Sequence, residues 1–160
     1  MIPLARSAEF DATGQYRYRL GRRWDPQRPA ITFVMLNPSR ADHRQEDPTL
    51  RRCLGLAQGW GYGALTVVNL FAHCSSQPQA LQRVPDPVGP ENDRFLLAAC
   101  TDTPTLVLAW GNSGSLYGRD RAVFHRLEPY RDRCYCLGRN QTGQPRHPLY
   151  VRRQTPLLPW

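Results

Sequence analysis

Short apolar runs alternate with stretches of helical periodicity along most of the chain. Residues 31–36 (Ile-Thr-Phe-Val-Met-Leu) form a nearly continuous apolar run, the pattern of a strand covered on both faces. Asn37-Pro38-Ser39 ends it sharply. Asp47 suits a helix N-cap and Pro48 the first helical position. Leu50, Cys53, Leu54 and Ala57 then recur at helical spacing, and Gly59, Gly61 and Gly63 stop the helix. A second buried-strand run covers residues 64–68 and ends at Asn69. Strand, helix and strand across residues 31–69 predict a βαβ unit with parallel strands. Residues 77–90 read as a long, Pro-rich loop, and loops of that length often carry function. A helix from Pro90 to about Cys100, a strand over 105–109, a helix over 119–127 and a strand over 133–137 complete the regular pattern. Residues 15–20 alternate and 21–29 are rich in turn formers, which predicts an N-terminal β-hairpin at a sheet edge. Residues 138–160 show no periodicity.

These elements predict one α/β domain over residues 1–160. Its architecture is expected to be a three-layer α/β/α sandwich around a central four-stranded, mainly parallel sheet, preceded by the hairpin. The length agrees with one domain, since two separate cores would each be too small. No apolar window approaches the roughly 18 residues of a spanning helix, and the first residues lack the apolar stretch of a signal peptide. A cytoplasmic location is therefore expected, with no membrane partner. The net charge is +8 and every basic side chain is Arg. That charge favours polyanions such as nucleic acid or nucleotides. The five Cys are odd in number and lack metal-ligand spacing, so neither a disulfide framework nor a metal centre is expected. No cofactor is expected, and the chain is expected to be a monomer.

In open α/β sheets the ligand crevice lies outside the carboxyl ends of the strands. Four predicted strands end in polar or glycine-containing loops, at residues 37–40, 69–73, 110–115 and 138–150. Topology therefore gathers Asn37, Asn69, Trp110-Gly111-Asn112 and His147 along one edge. The glycine-rich fingerprints of dinucleotide and Walker-type phosphate sites are missing, as is a nucleophile elbow.

Residues 35–42 (Met-Leu-Asn-Pro-Ser-Arg-Ala-Asp), Asp47-Pro48-Thr49, residues 68–72 (Val-Asn-Leu-Phe-Ala), residues 86–93, Ala109-Trp110-Gly111-Asn112 and residues 146–150 (Arg-His-Pro-Leu-Tyr) resemble, in order, the bacterial domain-of-unknown-function family 1643 (DUF1643). More distantly, the strand-end motifs resemble those of the uracil-DNA glycosylase superfamily. Asn37-Pro38 is similar to its Asn-Pro motif, Asn69 to its base-reading Asn, Ala109-Trp110-Gly111 to its Leu-Trp-Gly motif, and His147-Pro148 to the start of its catalytic loop. The resemblance implies a glycosylase-like fold and cleavage of an N-glycosidic bond in DNA or a nucleotide. Two departures stand out. The chain reads His147-Pro148-Leu149-Tyr150 where the superfamily continues His-Pro-Ser-Pro, and Asn37 replaces the carboxylate of its strongest members.

N-glycosidic cleavage builds positive charge on the sugar and negative charge on the departing base, so a useful site holds the base, places a water and stabilises the anion. The catalytic candidates are Asn37 to orient water, His147 to donate to the leaving base, and Asp47 as a second acid–base candidate. Asn69 can read a base edge through paired donor and acceptor, and Phe71 or Trp110 can stack on it. Asn112 and Ser39 are further substrate contacts. Arg40 and Arg146 can hold phosphates bidentately. Leu149 or Tyr150 can fill the gap left by a flipped base. Each has a plainer reading: turns for Asn37 and Asn69, an N-cap for Asp47, core for Phe71 and Trp110, and solvated surface for the Arg residues. Two competing functions stay open, a nucleoside- or nucleotide-processing enzyme and a non-catalytic nucleic-acid-binding module.

Overall fold

The computed structural model describes residues 3–160. One seven-stranded sheet organises the chain, in the order β1-β2-β4-β3-β5-β6-β7. The strands are β1 (Ala5–Phe10), β2 (Arg17–Arg23), β3 (Ala30–Met35), β4 (Ala64–Asn69), β5 (Leu106–Leu108), β6 (Cys134–Cys136) and β7 (Leu158–Pro159). The four central strands, β4-β3-β5-β6, are parallel. These are the four strands read from the apolar runs. The expected four-stranded sheet is nonetheless too small. β2 joins β4 antiparallel and carries β1 beside it, while β7 adds to β6 at the far edge. The N-terminal hairpin is present, but its strands are β1 and β2 rather than two segments after residue 15. β1 is exposed along nearly its whole length, so it leaves no apolar pattern to read.

Helices cover both sheet faces. Alternate strand residues explain this, because successive side chains point to opposite faces. Ile31, Phe33, Leu65, Val67 and Val107 pack with Leu50, Cys53, Leu54 and Ala57 of α1 (Pro48–Gly59). Val34, Val68, Leu106 and Leu108 pack with Leu96, Ala99 and Cys100 of α2 (Asn92–Asp102) and Val123 and Leu127 of α3 (Arg119–Leu127). No helix among the described residues is long and apolar enough to cross a membrane.

Two local devices place the site. The β1–β2 register slips between Glu9 and Phe10: Glu9 faces Arg19, but Phe10 faces Arg17. Tyr18 is the extra residue, and such a bulge reverses the alternation beyond it. Tyr18 accordingly stacks on Phe95 of α2 at 5.0 Å, whereas Leu20 lies in the cluster on the α1 face. Arg17 turns to that same α1 face, where its guanidinium meets Ala41. The second device clamps the end of β4. Asn92 Nδ2 donates to the carbonyls of Asn69 (2.9 Å) and Leu70 (3.1 Å), and Arg119 Nε donates to Leu70 O at 2.7 Å. Both clamps act on the backbone, so the side chain of Asn69 stays unengaged.

Candidate functional site

A cavity of about 510 Å³ opens at the carboxyl ends of β3, β4 and β5, under α1 and the 140–150 loop. Its volume suits a nucleoside-sized ligand. Asn37, Asn69, Trp110, Asn112 and His147 all border it, as do Ser39, Asp47, Leu149 and Tyr150. Arg40, Phe71 and Arg146 do not.

Asn37 follows the end of β3 after one intervening residue, Leu36. Its Nδ2 points at three backbone carbonyls, Pro38 (3.2 Å), His73 (3.4 Å) and Ser75 (2.9 Å). Three acceptors around one end of the amide fix its orientation, which otherwise is ambiguous. The carbonyl oxygen is left as the free end. Asn69 differs. It is 1% exposed, and neither Nδ2 nor Oδ1 has a hydrogen-bond partner. A buried amide left in that state costs free energy.

Asp47 is the N-cap of α1, as its place before Pro48 predicts. Oδ1 accepts from the Leu50 N–H at 2.8 Å. Oδ2 accepts from Ser39 Oγ at 2.6 Å and from the Ala41 N–H at 3.3 Å. Burial works to raise its pKa, but the bonds from Ser39, Leu50 and Ala41, with Arg17 nearby, outweigh it and hold the carboxyl below its ordinary value. Asp47 is therefore a fixed anion and a weak base. Ser39 serves as its donor.

His147 stands before a short 3-10 turn, Pro148–Tyr150, and its Nδ1 accepts from the Leu149 N–H at 3.2 Å. In the neutral ring the proton then sits on Nε2. Burial pulls the imidazole pKa down, with Asp47 opposing. The ring is thus a neutral Nε2–H donor. Gly111 faces this residue, and its φ of 77° and ψ of −172° belong to glycine alone. A Cβ at Gly111 would sit 3.5 Å from the Cβ of His147.

Trp110 is 1% exposed. Its indole N–H donates to Gln144 Oε1 at 2.8 Å, and its ring packs 5.1 Å from Phe124. The ring is mainly structural and supplies a wall. Asn112 Oδ1 accepts from Asn140 Nδ2 (2.9 Å) and Thr142 Oγ1 (2.7 Å), which latches the 111–113 segment to the 140–144 turn. Leu149 and Tyr150 are exposed at the mouth. Phe71 lies at 0% exposure in the core on the α2 side, so it offers no stacking face to the cavity.

Arg17 was not among the residues expected here. It is 4% exposed and lines the cavity, donating through Nη1 to Ala41 O at 2.8 Å. Burial lowers its pKa to about 10, opposed by Cys74 and Asp47, so it remains a cation at neutral pH. The only sequence signal was an Arg in an alternating segment. Cys53 also borders the cavity, but burial raises its thiol pKa strongly, which makes it a poor nucleophile.

The profile of the family described as "Protein of unknown function (DUF1643)" matches residues 17–149. The chain belongs to this family. The match begins at Arg17 and ends at Leu149, so in this DUF1643 member it spans the strands and loops that bring Asn37, Asp47, Asn69, Trp110 and His147 to the cavity. Neither curated proteins nor solved structures give a match.

Proposed function

We propose that the protein is a glycosylase-like hydrolase on a uracil-DNA glycosylase-like scaffold, cleaving the N-glycosidic bond of a base, modified or not, in DNA or a nucleotide. The observation that carries this reading is the meeting of Asn37, Asp47, Asn69 and His147 at one nucleoside-sized cavity, on strand-end motifs in the superfamily's order. Asn69 pairs with the base edge. Asn37 Oδ1 holds the attacking water. The C–N bond breaks with its electron pair leaving on the base, and the Nε2–H of His147 stabilises that anion. The water oxygen bonds to the sugar carbon, and its proton passes to solvent; Asp47, a weak base already held by three donors, orders the loop through Ser39 and Ala41. Asp47 is the one carboxylate lining the cavity among the described residues, and its fixed charge also stabilises the cationic sugar. At the mouth, Leu149 is shared with a shallow depression lined by Arg51, Arg52 and Arg153, which suits a phosphate backbone.

The test is incubation with oligonucleotides bearing uracil, mismatches or modified bases, and with free nucleotides. Abasic sites or released base are expected, and they should be lost in Asn37→Ala and His147→Ala. A folded protein that releases no base across the panel would overturn the proposal. Arg17 favours a second reading, an enzyme processing a free nucleoside or nucleotide, because a buried cation suits a small anionic ligand. Turnover of free nucleotides without salt-sensitive DNA binding would select it. Salt-sensitive DNA binding that survives both substitutions, without turnover, would instead identify a non-catalytic nucleic-acid-binding module.

A further inference from the structure

Arg17 has no part in the bond cleavage just described, yet it is the buried cation of the cavity. Its Nη1 is held by Ala41 O, while Nε is buried without a partner and Nη2 takes none among the described residues. Among the described residues no ion pair within 4.0 Å includes Arg17, and the carboxylate of Asp47 is already held by Ser39, Ala41 and Leu50. Asp47 nearby offsets part of this charge, but a buried cation with no direct ion pair is costly, and pairing it with an anion relieves that cost. The free edge, Nε with Nη2, is one side of the guanidinium fork, which matches the two oxygens of a carboxylate or phosphate. Asn69 lines the same cavity from β4, the strand beside β2, and its amide is equally unpartnered. The bulge at Tyr18 is what turns Arg17 toward this cavity.

We infer that Arg17 is an oxyanion-binding residue, which takes a carboxylate or phosphate of a small ligand whose amide-like edge pairs with Asn69. The pairing at Asn69 rests on the reading proposed above; the anion at Arg17 goes beyond it and needs no bond cleavage. A carboxylate would be carried on the base itself, a phosphate on the sugar of a free nucleotide.

Calorimetric titration of the full chain with two matched pairs decides the matter. Uracil against orotate tests a carboxylate on the base, and uridine against uridine 5′-monophosphate tests a phosphate. At least one anionic member should bind about tenfold tighter than its neutral partner. That advantage should vanish in Arg17→Gln and persist in part in Arg17→Lys. The pair showing the advantage identifies the source of the anion. Equal binding within both pairs, no binding of any member, or an advantage untouched in both variants would overturn the inference. Circular dichroism establishes that each variant is folded. Should Arg17→Gln fail to fold, the matched pairs on the unmodified chain and on Arg17→Lys carry the decision. Anion preference without base release leaves the inference standing and removes the hydrolase reading; base release without anion preference does the reverse.

Discussion

Replacing Asn69 by Leu should make the protein more stable while abolishing ligand binding. The side chain is 1% exposed, and both its polar atoms lack partners. A buried polar group left unsatisfied costs about 1–3 kcal/mol, whereas a similarly shaped apolar group in its place carries no such penalty. Leu matches Asn in branching and heavy-atom count, and its bulkier methyl groups can extend into the adjoining cavity, where Leu20, Met35 and Val67 stand to receive them. The backbone clamps from Asn92 and Arg119 act on carbonyls and survive the change. Asn69→Leu should therefore gain about 1–3 kcal/mol, a rise in Tm of roughly 2–4 °C for each kcal/mol at this chain length. Urea and thermal unfolding, followed by circular dichroism, measure both quantities. A gain in stability joined to a loss of binding would mark Asn69 as a group retained for its ligand at the expense of the fold. A loss of stability greater than about 1 kcal/mol would refute the reasoning, because the amide would then have a structural partner.

Three further outcomes follow from named contacts. Asp47→Ala removes the cap of α1 and the bonds from Ser39 and Ala41, and should cost about 2–3 kcal/mol in urea unfolding. Because the folded state holds the Asp47 carboxyl below its ordinary 3.8, its contribution is present above that value and is lost as pH falls through the folded value; Asp47→Asn should flatten the acid limb of the stability curve, and an unchanged limb would contradict the assignment. The His147 imidazole should titrate below 6.5 by NMR, since burial favours the neutral ring; its contribution is present above 6.5 and lost as pH falls through the folded value, and a midpoint at or above 6.5 would contradict the Nε2–H donor. Gly114→Ala would place a Cβ 2.1 Å from Cδ1 of the packed Trp110 ring, so a loss of about 1–3 kcal/mol and altered Trp fluorescence are expected.

How much could be read from the chain depended on what periodicity reports, which is burial. The four parallel strands and three helices were legible because each buries a continuous run or a stripe. Asn37 and Asn69 were legible because they end such strands, and a parallel topology brings strand ends together. β1 was not legible, since almost every residue in it is exposed. Nor was β7, which is only two residues long. Arg40 and Arg146 lie on loops, where spacing says nothing about direction, and neither lines the cavity. Phe71 and Trp110 were indistinguishable as wall or core; packing makes Phe71 wholly core and leaves Trp110 a wall. Arg17 was hidden for a different reason. Its direction depends on a one-residue slip between two strands, and a slip of one residue changes the face of every side chain beyond it.

That slip also alters what the net charge means. A charge of +8 carried wholly by Arg points outward, to polyanions, when read as a surface property. Yet Arg17, Arg22 and Arg119 are buried. Each donates to backbone carbonyls of a segment that builds the site. Arg17 holds Ala41, Arg22 holds Asp42 and Gln45, and Arg119 holds Leu70. The first two fix the loop between β3 and α1, and so the position of Ser39 and Asp47. The third fixes the strand end that carries Asn69. A guanidinium can reach two carbonyls and a carboxylate at once, as Arg22 does with Asp42, Gln45 and Glu46, and an ammonium lacks that fork. Part of the basic charge thus builds the cavity from within. The case for a nucleic-acid partner then rests on the cations beside the mouth, Arg51, Arg52 and Arg153, rather than on the total. Removing exposed Arg51 and Arg153 together should weaken DNA binding and lower its salt dependence without changing the melting temperature. Equal loss of binding on removing Arg121 and Arg131, which lie outside both cavities, would mean that only overall charge matters.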